Sequence, residues 1–151
     1  VQEVQKNMTA KEYLLQYVRL TERLRALEDD IERYEAIATS TAINLDGMPH
    51  AQKTSDKVGN MASRVADLKR RKESLMLDTL EQREEIRSTV DRILDARYAM
   101  LINLRYIELV DGRQRTWEDI AEQMHMAVSW VRGGLHSQAL KEVGRILQTK
   151  Y

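Results

Sequence analysis

Within the ten residues from Val128 to Ser137 the chain places Val128, Ser129, Trp130, Arg132, Gly133, His136 and Ser137: a hydroxyl, an indole, a guanidinium and an imidazole in close succession. Presented on the outer face of a helix, these types suit the edges of base pairs. Arg132 can donate two parallel hydrogen bonds to a guanine, Ser129 can meet a base edge or a phosphate, and Val128 can touch a thymine methyl. Arg113, Arg115 and Thr116 stand just ahead of a short amphipathic segment. Guanidiniums beside the free N–H groups of a helix N-terminus make a seat for phosphate. The chemistry is that of holding double-stranded DNA. Trp130 keeps two readings, a base or sugar contact and an anchor for a protein.

Other chemistry finds little support. The chain has no Cys, so it has no thiolate nucleophile, disulfide or sulfur-ligated metal. His50, His125 and His136 lack the i, i+4 pairing of a helical metal site. Asp29-Asp30 and Glu84-Glu85 are neighbours on helices, pointing about 100° apart, and read as surface charges rather than an acid/base dyad. Neither a phosphate-cradling glycine loop nor a nucleophile elbow occurs. We expect no enzyme, no metal and no cofactor. Net charge is zero, with 24 basic and 24 acidic residues, which gives no general attraction to polyanions. Residues 97–151 are mildly basic, with 8 Lys and Arg against 6 Asp and Glu. The Lys69-Arg70-Arg71-Lys72 run reads as a solvated helix face in preference to a phosphate contact.

The elements that must position these residues are helical. One Pro, six Gly and no Phe, beside abundant Leu, Ala, Glu, Lys, Arg, Gln and Met, predict an all-α chain. Thr9-Ala10-Lys11-Glu12 fits a capping box. From there Tyr13, Tyr17, Leu20, Leu24, Leu27, Ile31, Tyr34 and Ala38 recur at alternating spacings of four and three, the seam of a coiled coil. Thr39 to Ser55, with Asp46-Gly47-Met48-Pro49, reads as a loop. Asp56 is the expected cap of a second long helix. Its seam runs through Val58, Met61, Val65, Leu68 and Leu75, then shifts phase to Leu80, Ile86, Val90 and Ile93, with Lys72 and Thr79 interrupting. The two stripes can be covered by an antiparallel hairpin within residues 9–95 or by pairing of two chains; the hairpin is the preferred reading.

After Asp95 the heptads give way to short helices. Tyr98 to Ile107 form one that ends before Asp111-Gly112, Thr116 caps a second carrying Ile120, Ala121 and Met124, and a third runs from about Val128 to Leu147. Three such helices in residues 97–149, the last two joined by a brief break at His125-Met126-Ala127, predict a helix-turn-helix. Ala127 offers no side-chain acceptor for the start of the last helix. Gly133-Gly134 weaken its interior, and both a close backbone approach to DNA and a kink would explain them.

The series Leu104-Arg105-Tyr106, Thr116-Trp117-Glu118-Asp119-Ile120-Ala121, Val131, Leu135-His136 and Ala139-Leu140 resembles the region-four helix-turn-helix of bacterial sigma factors. Together with the long helices, the Thr39-Ser40-Thr41 to Pro49 loop and Lys-Glu-Tyr-Leu at 11–14, nearly the whole chain resembles the small phage and prophage proteins related to the ArpU-type late transcriptional regulators. The resemblance implies a sequence-specific DNA-binding protein that controls phage transcription in a Gram-positive host. Its expected partners are double-stranded DNA, RNA polymerase and a second copy through the coiled-coil arm. Two competing expectations are a protein-interaction module that binds RNA polymerase or another phage protein without DNA, and a small-terminase-like packaging protein. The longest apolar run, Tyr98 to Ile102, is far short of a membrane span, and no signal peptide opens the sequence. A soluble protein in the cytoplasm of a bacterial host cell is therefore expected.

Overall fold

A computed structural model describes the backbone of residues 8–45 and 52–150 and the side chains of residues 8–40 and 59–149. Among these residues the chain is nearly all helical, with no strand. Helix α1 spans Ala10–Leu45 and α2 spans Gln52–Val90. Helix α3, Ala96–Ile102, runs on into a π turn, Asn103–Ile107; α4 is Trp117–Met124. Helix α5, Val128–Trp130, passes through a second π turn, Val131–Leu135, into α6, His136–Lys150.

The capping box opens α1 as expected: Thr9 N–H donates to Glu12 Oε2 at 3.1 Å and Glu12 N–H to Thr9 Oγ1 at 3.2 Å. The far end differs from expectation. Helix α1 continues past Thr39 to Leu45, and within it the Thr39 hydroxyl donates to the Glu35 carbonyl one turn back at 2.9 Å. Helix α2 begins at Gln52, so Asp56 lies inside it rather than capping it. The Asp46-Gly47-Met48-Pro49 turn and the side chain of Val58 lie outside the described residues.

The chain divides into two compact units, residues 23–78 and the remainder. In residues 23–78, Lys72 meets Glu28 at 3.7 Å and Lys69 meets Glu35 at 2.7 Å, so the two helical segments run antiparallel. Ile31 is buried, and Leu24, Leu27, Tyr34, Met61, Val65, Leu68 and Leu75 are half-buried along the stripe. Lys72 holds its place in that stripe by packing its stem and carrying its ammonium out to a carboxylate. Arg64 lies over the Tyr34 ring, 5.4 Å from its centroid. In the basic run, Lys69, Arg70 and Lys72 are engaged with Glu35, Asp67 and Glu28. Exposed pairs of this kind contribute at most about 1 kcal/mol each, so the apolar stripe carries the stability here.

The other unit has a single core. Tyr13, Leu14 and Val18 of α1 and Ile86 and Val90 of α2 are buried with Leu101, Ile102, Ile120, Val131, Leu135, Ala139 and Val143. The core thus draws on both sides of the 95–97 boundary that the change of sequence pattern marks. Burying each large aliphatic side chain is worth roughly 1.5–3 kcal/mol. The expected phase shift in α2 does not occur. Thr79 is 7% exposed whereas Leu80 is 56% exposed, so the four-three spacing passes unbroken through Lys72, Leu75, Thr79, Gln82 and Ile86. Polar residues sit in the stripe because they find partners: Gln82 Nε2 donates to Gln16 Oε1 at 2.9 Å. Further along, the Tyr13 hydroxyl lies 2.8 Å from Thr89 Oγ1 inside the core.

Candidate nucleic-acid interface

Side-chain caps fix the starts of α3 and α4. Asp95 caps α3, accepting from Arg97 N–H at 2.9 Å, and the Arg97 guanidinium holds the same carboxylate at 3.1 Å; that pairing keeps the Asp95 carboxyl below the usual carboxylate range. After the first π turn, Val110 and Arg113 pair through two backbone hydrogen bonds of 2.8 and 3.0 Å. Asp111 and Gly112 between them have φ of 52° and 73°, the two positive values that a type I′ turn requires and that Asp-Gly accommodates. Thr116 then caps α4, its hydroxyl accepting from Asp119 N–H at 3.1 Å.

The turn from α4 to α5 is three residues long. His125 takes the left-handed conformation, φ 56° and ψ 43°, and Met126 N–H reaches back to the Ala121 carbonyl at 3.0 Å, closing α4 with a Schellman-type end. Ala127 begins α5 with no side-chain cap. Helix α4 packs on α5 and the second π turn through Ile120, Ala121 and Met124 against Val131 and Leu135.

The second π turn decides which side chains beyond it face out. His136 N–H donates to the Val131 carbonyl five residues back, so one residue is added to that turn and every later side chain rotates by about 100° relative to an unbroken α-helix. This keeps Val131, Leu135, Ala139 and Val143, spaced by fours, all buried. Ser129, Trp130, Arg132, Gly133 and Ser137 are exposed. His136, expected on that outer face, is instead turned inward. Val128 is also corrected: it is half-buried against the core, since the uncapped first turn of α5 lies directly over α4.

His136 sits in a cluster that sequence reasoning did not assemble. Its Nε2 lies 2.8 Å from the Tyr106 hydroxyl, its ring meets Trp117 edge-on at 4.7 Å, and the Arg105 guanidinium lies 4.3 Å over the Trp117 ring. Burial, aided by the charges of Lys11 and Arg105, pulls the His136 pKa down to about 4. Burial raises Tyr106 to about 12. The imidazole is therefore neutral and the phenol protonated near pH 7, so the two share one hydrogen bond without a charge. Arg105 donates to the Arg115 carbonyl, and burial lowers its pKa. This cluster ties the first π turn, the start of α4 and the start of α6 together. The Leu-Arg-Tyr and Thr-Trp segments are its only trace in the sequence.

The expected phosphate seat is altered. Arg113 is exposed, but Arg115 donates to the Glu108 carbonyl at 3.0 Å and pairs with Asp119 at 3.1 Å. The Thr116 hydroxyl is used as a cap, and Glu118 and Asp119 already complement the first turn of α4. Arg115 and Thr116 thus build the loop, and of the two guanidiniums only Arg113 has no ion-pair partner among the described residues. The start of the last helix has a further signal. Between Glu122 and Glu142 the sequence has no carboxylate, and among the described residues Arg132 has no ion-pair partner.

Among the described residues no helix is long and apolar enough to cross a membrane. No family model, curated protein or solved structure matches the chain.

Proposed function

We propose that the chain is a sequence-specific double-stranded-DNA-binding regulator of transcription, in which residues 97–149 act as a sigma-region-four-like helix-turn-helix and α5–α6 is the helix that enters the major groove. The observation that carries this reading is the exposed, carboxylate-free start of that helix after a three-residue turn, bearing Ser129, Trp130, open Gly133 and an Arg132 unpaired among the described residues. The antiparallel stripes of α1 and α2 form a coiled-coil hairpin that serves as the arm for RNA polymerase or a second copy. The setting is a phage or prophage of the ArpU-type regulators, in the cytoplasm of a bacterial host, as the resemblance implies.

Selection of random duplexes with the purified full chain tests the reading. One enriched motif is expected, read mainly through guanine contacts of Arg132. In fluorescence anisotropy Arg132→Ala weakens binding to that motif by ~1–3 kcal/mol. Arg113→Ala gives a shallower dependence of affinity on salt, as loss of one phosphate contact requires. No enrichment even at low salt would remove DNA from the account. The protein-interaction module then stands, favoured by zero net charge and by the absence of a side-chain cap at Ala127.

A further inference from the structure

Trp130 is 41% exposed although it is the largest side chain in the first turns of the last helix. Its placement is not that of a loose surface residue. A Cβ built on Gly134 would lie 2.2 Å from Trp130 Cζ3, 2.6 Å from Cε3 and 3.1 Å from Cη2. The six-membered ring therefore lies against the bare Cα of Gly134, in space that any other residue would fill. A helix interior disfavours glycine, so Gly134 sacrifices helix propensity and holds an aromatic plane against the helix surface. Gly133 beside it has nothing within 4 Å of its own notional Cβ. The two glycines thus have different tasks, one seating the ring and one leaving the backbone approachable.

We propose that the braced Trp130 indole reads the 5-methyl group of thymine in the major groove; this rests on the DNA-facing reading of α5–α6. The surroundings of the ring select the ligand. Arg132 two residues on is exposed and unpaired among the described residues, and the whole stretch between Glu122 and Glu142 lacks a carboxylate, as contact with a polyanion requires. On the floor of the major groove the thymine methyl is the apolar feature that distinguishes one base from the others. A fixed apolar plane next to a free guanidinium matches a thymine adjoining a guanine. The indole adds contact area there as a rigid aromatic plane seated against the Gly134 backbone.

The experiment uses the full chain and the duplex enriched by random selection, with each thymidine replaced in turn by deoxyuridine. That change removes one methyl and leaves base pairing intact. For the wild-type protein we expect one or two positions at which uracil weakens binding about fourfold, the worth of one buried methyl group. Trp130→Ala binds thymine and uracil duplexes alike. Gly134→Ala keeps the indole and the helix but displaces the ring, and it loses the same discrimination while circular dichroism shows undiminished helix. A wild type indifferent to uracil at every position, or a selected motif without thymine, overturns the inference and leaves DNA binding standing. Discrimination that survives in both variants also overturns it, since another residue then reads the methyl. Failure of the wild type to bind any duplex refutes the DNA reading itself, and this inference with it.

Discussion

His136→Gln removes an imidazole whose protonation the fold resists, and so it changes how stability depends on pH. In the native protein burial, Lys11 and Arg105 hold the His136 pKa at about 4, against 6.5 for the free side chain. Above about pH 6.5 the ring is neutral both folded and unfolded, and its full contribution is present. As pH falls from there towards about 4, the unfolded chain binds a proton that the folded chain refuses, so stability is lost through that window. At about 1.4 kcal/mol for each factor of ten in proton affinity, the ceiling is roughly 3 kcal/mol. Solvent reaches part of the ring, and screening brings the expected loss to about 1–2 kcal/mol between pH 7 and pH 5. Urea unfolding of wild type and His136→Gln at several pH values measures it, because glutamine keeps an acceptor for the Tyr106 hydroxyl and does not titrate. Asp95 and Glu142, whose carboxyls Arg97 and Arg145 hold below the usual range, are common to both proteins. The wild type is expected to lose about 1–2 kcal/mol more than the variant on acidification. Parallel stability curves for the two proteins would refute the inward placement of His136.

Leu101 is fully buried, and Leu101→Ala is expected to cost about 2–5 kcal/mol in the same unfolding assay; a cost below about 1 kcal/mol would contradict its place in the core. Leu80→Gln is expected to change stability by less than about 0.5 kcal/mol, whereas a seam position would lose several times that, so the one substitution tests the register of α2. His125→Gly relieves a left-handed residue at the end of α4 and should raise stability by about 0.5–1 kcal/mol, read as a higher urea midpoint at unchanged slope.

The features legible in the sequence were those whose partners lie close along the chain. Thr9 with Glu12 and Thr116 with Asp119 are capping contacts three residues apart, and the four-three recurrence from Tyr13 to Ala38 needs only the helix period to be seen. The exposed group Ser129, Trp130, Arg132, Gly133 and Ser137 was legible for the same reason, since four of the five lie within the first two turns of one helix. Leu80 departs from expectation because hydrophobicity alone does not mark the stripe. The true stripe passes through Lys72, Thr79 and Gln82, and two of these are accommodated by Glu28 and Gln16 on the other helix.

By itself, then, the sequence determined the all-α character, the caps, the turn at His125 and the helix that carries the exposed arginine, because these follow from propensity and short-range hydrogen bonding. Tertiary structure alone decided that His136 leaves the outer face of that helix for the interior. The π turn at Val131–Leu135 adds a residue to one turn, a change too small to register as a pattern, and the packing of Val131, Leu135, Ala139 and Val143 stabilises it. That rotation sends His136 to Tyr106 and Trp117, while Trp130, which precedes the π turn, lies outside against Gly134. Side-chain direction in a helix depends on the sum of all preceding turns, and that sum is fixed only when the core closes.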